Sequence, residues 1–207
     1  LGLNQVAPKR PRIGVFGGSF DPPHLAHISL LETAVKELAL DEMRVVPTGQ
    51  AWHKSRALTN ANHRLDMAEL AFAGLPNVVV DAQEILRPGP SYTVDTLLSV
   101  AAVKPLVDLY LIMGADQAAA LTTWRAWQEI LQIATICVAD RGDTIRARSQ
   151  FDAEKLFPHR FIHLQMSALA ISATHIRSRV AAAQSIDTLV SGPIARYIAD
   201  HHLYLNL

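Results

Sequence analysis

The sequence predicts an α/β protein built on an open, doubly wound, mostly parallel sheet with helices on both faces. Three observations lead there. Short apolar runs of strand length alternate along the chain with longer segments of helical pattern. The first run ends in a glycine turn that leads into a helix. Half of the 207 residues are hydrophobic and no low-complexity tract interrupts them, enough to bury a substantial core.

Residues 1–11 contain no continuous apolar stretch of signal-peptide type and read as a disordered extension; residues 12–207 read as a single domain. The first strand, 13–16, runs into Gly17 and Gly18, where two missing Cβ atoms let the backbone turn sharply and approach a ligand. Pro22 and Pro23 suit the opening of a helix at 24–40, because the first turn leaves its N–H groups unpaired anyway. The second strand, 43–47, precedes a long polar connection, 48–61, of the kind that covers active sites. A helix at 62–73 and a strand at 78–81 follow. Pro90-Ser-Tyr-Thr93 reads as a turn into the helix at 93–103, with Ser91 or Thr93 as its cap. Then come strand 109–113, helices 117–121 and 127–132, strand 135–139, a polar loop at 142–150, helix 152–156 and strand 161–164. Ser172 heads a helix at 172–183 as its N-cap, and the last helix is 193–202.

Ligands of doubly wound sheets sit beyond the C-terminal ends of the strands, where the strand order reverses. The stretch Ile13-Gly-Val-Phe-Gly-Gly-Ser-Phe-Asp-Pro-Pro-His-Leu-Ala-His27 follows the first strand to that end, and Gly114-Ala-Asp116 follows the fourth. His24 and His27 are three apart, so a helix would place them on one face at its positive end. Strand, tight turn and helix N-terminus together make a phosphate-binding arrangement, and two imidazoles set into it can donate to phosphate oxygens. Taken singly, a Gly-Gly pair is a turn and a histidine at a helix start is a surface residue; the ordered string is far more specific. It fits neither G-x-G-x-x-G nor G-x-x-x-x-G-K-[ST]. Ser172, Thr174 and Arg177 offer hydroxyls and a fixed cation at another helix entrance, a plausible cradle for β- and γ-phosphates; capping alone is the plainer reading of Ser172. Trp124 and Trp127 stand at helical spacing, which suits packing.

Gly17-Gly-Ser-Phe-Asp-Pro-Pro-His-Leu-Ala-His27 resembles the G-x-F-D-P-x-H-x-G-H signature of the nucleotidyltransferase superfamily that holds the adenylyltransferases of NAD and coenzyme A synthesis. Ile171-Ser-Ala-Thr-His-Ile-Arg177 resembles its I-S-[ST]-T-x-[IV]-R. Within that superfamily the chain, from Arg12 onward, is most similar to the bacterial nicotinate-nucleotide adenylyltransferases. Pro90-Ser-Tyr-Thr-Val-Asp-Thr-Leu97, Gly114-Ala-Asp-Gln117, Trp124 and the pair His53-Lys54 carry that likeness. The resemblance implies a Rossmann-like nucleotidyltransferase fold and adenylyl transfer from ATP to nicotinate mononucleotide, with release of pyrophosphate. It implies His24 and His27 as catalytic residues, and Gly17, Gly18, Ser19, Phe20, Lys54, Ser172, Thr174 and Arg177 at ATP. Tyr92, Thr93, Asp116 and Trp124 would meet the acceptor, Trp124 by stacking on the pyridine ring. Mg²⁺ would arrive with ATP and retain waters, no carboxylate cluster suggesting a metal cage. The chain departs from the family pattern at Ala26, where glycine is usual, and at Trp52, where proline is usual. It also lacks proline in Asp140-Arg141-Gly142.

Nineteen basic residues balance nineteen acidic ones without a long basic stretch, which argues against a nucleic-acid groove. Cys137 is the only cysteine and lies in an apolar run, so it reads as a buried thiol in a reducing cytoplasm. No stretch reaches membrane-spanning length. The expected partners are therefore ATP and nicotinate mononucleotide, not nucleic acid or membrane, with homo-oligomerisation left open. Pantetheine-phosphate adenylyltransferase and the cytidylyltransferases share both signatures but are not expected to carry the 90–97 and Trp124 features. A nucleotide sensor without turnover is the alternative from another class. The letters alone do not decide between nicotinate and nicotinamide nucleotides.

Overall fold

The structure, a computed structural model, describes residues 9–49, 58–140, 152–166 and 169–205. Strands β1 (Arg12–Gly18), β2 (Glu42–Pro47), β3 (Val78–Val80), β4 (Asp108–Gly114), β5 (Ala134–Asp140) and β6 (Phe161–Gln165) form one six-stranded sheet. Its order is β3-β2-β1-β4-β5-β6 and every pairing is parallel. The order reverses between β1 and β4, which lie side by side with Ile13 opposite Leu109.

Alternation along each strand builds two cores. Ile13, Val15, Leu109, Leu111, Met113, Ile136 and Val138 face one way, onto α4 (Thr93–Val103) and α6 (Trp127–Ile133). Phe16, Met43, Val45, Tyr110, Ile112 and Cys137 face the other, onto α1 (Leu25–Glu37) and α2 (Ala61–Phe72). Burial on both faces explains why the strands read as unbroken apolar runs. A third cluster joins α8 (Ala173–Ala181) and α9 (Gly192–Asp200) to Ala26 and Met67. Among the described residues no helix is long and apolar enough to cross a membrane.

Several expectations are corrected. The prolines do not open α1: they lie in the turn before it, after a cis Asp21–Pro22 peptide, and His24 takes the N-cap position. Neither Ser91 nor Thr93 caps α4; Tyr92 stands at its N-cap and no side chain caps the helix. The helix expected at 117–121 is α5 (Ala115–Ala119), followed by a 3₁₀ turn at Leu121–Thr123. The four-residue helix α3 (Gln83–Leu86) was not foreseen, being too short for periodicity to show. The Pro11 carbonyl accepts the Asp108 N–H at 2.9 Å. Ser172 caps α8 as expected, accepting the His175 N–H at 3.2 Å. Helix α7 (Asp152–Leu156) matches its expected span. The 142–150 loop, and residues 50–57 of the long connection, lie outside the described residues.

Candidate active site

The site grows from the end of β1. A Cβ on Gly17 would meet nothing within 4 Å, and Gly17 lines a cavity of about 540 Å³, so the missing side chain widens ligand space. A Cβ on Gly18 would come within 2.9 Å of the Phe20 ring. Phe20 adopts a φ of 47°, a left-handed conformation that costs an aromatic residue about 1–3 kcal/mol. Its ring is buried edge-on to Phe16 and Phe72 and to the His27 ring, at 5.3 Å from the last. Phe20 thus forms a floor under His27.

The two imidazoles meet at the head of α1. Their rings stack with centroids 3.6 Å apart, tilted by 14°. The His24 backbone N–H donates to His27 Nδ1 at 3.2 Å. An acceptor nitrogen bears no proton, so the neutral His27 ring carries its hydrogen on Nε2. Both histidines line the cavity.

Two buried arginines hold this turn. Arg64, on α2 and 1% exposed, donates to the carbonyls of Thr59 at 2.9 Å, Ser19 at 2.9 Å and Gly49 at 3.2 Å. Burial lowers its pKa, and the negative charge of Asp21 works against that. Arg177, on α8, donates to the Asp21 carbonyl at 2.7 Å and to Thr174 Oγ1 at 3.1 Å. The buried Asp21 carboxylate accepts the Tyr204 hydroxyl at 2.8 Å and the Thr59 N–H at 3.3 Å. Burial, reinforced by Asp21, pushes the Tyr204 hydroxyl far above its ordinary pKa.

The other end of the cavity is walled by Tyr92, Thr93, Trp124, Arg125 and Glu84. The Arg125 guanidinium lies 4.5 Å from the Tyr92 ring centre. Glu84 is buried and accepts the Thr96 hydroxyl at 2.8 Å; burial raises its pKa, the Thr96 bond opposing the rise. Asp116 is exposed at the start of α5 and lines the same space.

Gly17, Gly18, Ser19, Phe20, His24, His27, Tyr92, Thr93, Asp116 and Trp124 therefore converge on one cavity. Ser172, Thr174 and Arg177 do not line it; its wall reaches α8 at Ala173. Lys54 lies outside the described residues. Trp127 packs against Phe157 at 6.2 Å, as a core residue would. The extra methyl of Ala26 is buried against the α8–α9 cluster. Among the described residues no three His, Cys, Asp or Glu side chains gather to hold a metal ion. Sequence reasoning passed over Arg64, Tyr204, Glu84 and Arg125. Only Arg64 leaves a signal, since it falls in phase with Met67, Ala68 and Phe72 on the buried stripe of α2.

Fold and site together define an α/β nucleotide-binding protein with a histidine pair at the mouth of β1. A family model described as cytidylyltransferase-like matches residues 15–179. A protein of Albidiferax ferrireducens named "probable nicotinate-nucleotide adenylyltransferase" is 58% identical over 193 residues, 93% of this chain and 98% of that protein. One of the same name from Methylibium petroleiphilum is 41% identical, over 96% of this chain and 94% of its own. The solved Plasmodium falciparum nicotinic acid mononucleotide adenylyltransferase complexed with NaAD shares the fold, with a TM-score of 0.74 at 18% identity, covering 94% of this chain and 98% of that one. The chain belongs to the cytidylyltransferase-like family of nucleotidyltransferases.

Proposed function

We propose that this enzyme transfers the adenylyl group of ATP to nicotinate mononucleotide, yielding nicotinate adenine dinucleotide and pyrophosphate, with residues 12–207 as one catalytic unit. The names of the relatives support the acceptor. The observation that carries the reading is a single cavity joining the stacked His24 and His27 to the Tyr92–Trp124 wall.

A phosphate oxygen of the acceptor attacks the α-phosphorus of ATP; the new O–P bond forms as the bond to the β-phosphate oxygen breaks. Phosphate is already a nucleophile, so no covalent enzyme intermediate is needed. The protein's work is to align two polyanions and neutralise charge on the five-coordinate phosphorus. The positive end of the 13-residue α1 points at this chemistry, with His24 and His27 in its first turn. His27 Nε2–H donates to an α-phosphate oxygen, because its Nδ1 is occupied by the His24 N–H. Gly17, Gly18, Ser19 and Phe20 supply backbone around the phosphates. The β- and γ-phosphates extend beyond the cavity wall at Ala173 toward Ser172, Thr174 and Arg177, with Lys54 as a further cation for them, and Arg177 also fixes the Asp21 turn. Mg²⁺ would come as part of the Mg-ATP substrate and would offset charge on the leaving pyrophosphate. Trp124 stacks on the pyridine ring, backbone groups at Tyr92 and Thr93 meet its carboxyl group, and Asp116 accepts from ribose hydroxyls. We place the reaction in the cytoplasm, which suits Cys137 being a buried free thiol. Incubation with Mg-ATP and nicotinate mononucleotide should give dinucleotide and pyrophosphate in equal amounts; ATP binding without either product would make the protein a sensor instead.

A further inference from the structure

We propose that Arg125 selects the acceptor by charge, its guanidinium meeting the ring carboxylate of a nicotinate-type nucleotide and disfavouring the uncharged carboxamide. The inference rests on the adenylyl-transfer reading above and adds the residue that sets acceptor preference. Arg125 directly follows Trp124, and Ala126 after it turns the chain with a φ of 52°, so both side chains lie on the cavity wall. The guanidinium carbon lies over the Tyr92 ring, 4.5 Å from its centre. A guanidinium carries its N–H donors in its own plane, as a fork that pairs with a carboxylate through two parallel hydrogen bonds.

The charge of Arg125 is also uncommitted. Arg44 pairs with Glu42 and Asp81, while Arg12, Arg64, Arg160, Arg177 and Arg179 donate to backbone carbonyls. Arg125 has no carboxylate partner among the described residues. Three carboxyl groups line the same cavity, Asp21, Glu84 and Asp116, and each would repel a negatively charged acceptor ring when ionised. Neutral backbone dipoles at Tyr92 and Thr93 can orient a carboxylate or a carboxamide alike. A formal positive charge is what separates the two.

The test compares Arg125→Ala and Arg125→Lys with the unaltered enzyme, measuring kcat and KM for nicotinate and nicotinamide mononucleotides at saturating Mg-ATP. Arg125 is exposed, so both variants should keep the parent's thermal unfolding midpoint. Arg125→Ala should lower kcat/KM for the acid by about tenfold or more, mainly through KM, and change the amide by less than about twofold. Arg125→Lys should retain part of the preference. An unchanged acid-to-amide ratio in Arg125→Ala overturns the assignment, as does an equal loss on both nucleotides, which would mark Arg125 as a phosphate contact. No turnover by the unaltered enzyme with either nucleotide would refute the transfer reading, and this assignment with it.

Discussion

His27 shows how a local bond sets a chemical role. The His24 N–H at 3.2 Å makes Nδ1 an acceptor, so Nε2 is left as the donor toward the cavity. His27→Ala removes that donor; steady-state kinetics should show kcat falling about 10²- to 10³-fold, roughly 3–4 kcal/mol of transition-state stabilisation, with the unfolding midpoint little changed. Unchanged turnover would remove His27 from the mechanism. Gly17 offers the opposite kind of change. Its absent Cβ faces empty space, so Gly17→Val should fold normally yet raise KM for ATP, because the new side chain occupies ligand volume. The ordered string from Gly17 to His27 made these residues legible in the sequence. The stacking of the two rings was not, since it depends on His24 being an N-cap rather than a residue inside the helix. Nor did the string reveal that the Phe20 ring is core, for that requires Phe72 from another helix.

Helix α2 places a cation where amphipathic helices place leucine. Arg64 shares its buried stripe with Met67, Ala68 and Phe72, and its three donors satisfy the carbonyls of Thr59, Ser19 and Gly49. Arg64→Met keeps much of the volume but leaves those carbonyls without their guanidinium. Urea unfolding should record a loss of at least about 2 kcal/mol, and kcat should fall as the Ser19–Asp21 turn loosens. Stability within about 0.5 kcal/mol of the parent would show that the network is incidental. Helix existence was largely readable from periodicity: α1, α2, α4 and α8 stand near their expected spans. What escaped were short pieces and boundaries. Four residues of α3 carry too little periodicity to show. The double proline suits a helix start, whereas the chain uses it to shape the turn before His24.

The whole molecule brings residues far apart in sequence to one point beneath the phosphate turn. The Tyr204 hydroxyl reaches Asp21 across 183 positions, and no local pattern announces it. Doubly wound architecture was legible from strand–helix alternation, but strand order is a matter of non-local pairing and came only with the structure. That order puts the cavity at the reversal between β1 and β4 and buries Glu84 in its wall. Burial raises the Glu84 carboxyl above the ordinary carboxylate range, against the pull of Thr96. A group raised on folding favours the folded state below its unfolded pKa, and that contribution fades as pH rises through the folded value. Glu84→Gln keeps an acceptor for Thr96 and removes the titration. Its thermal midpoint, relative to the parent's, should therefore climb as pH rises above the ordinary carboxylate range; a constant difference would contradict the shift.

Adenylyl transfer to a pyridine nucleotide is tested most directly by pyrophosphate release from Mg-ATP with nicotinate mononucleotide, nicotinamide mononucleotide and phosphopantetheine offered in parallel. Fast release with the nicotinate nucleotide, slower release with the nicotinamide nucleotide and none with phosphopantetheine is the expected result. Release with phosphopantetheine alone, or no release with any of the three acceptors despite bound ATP, would contradict it.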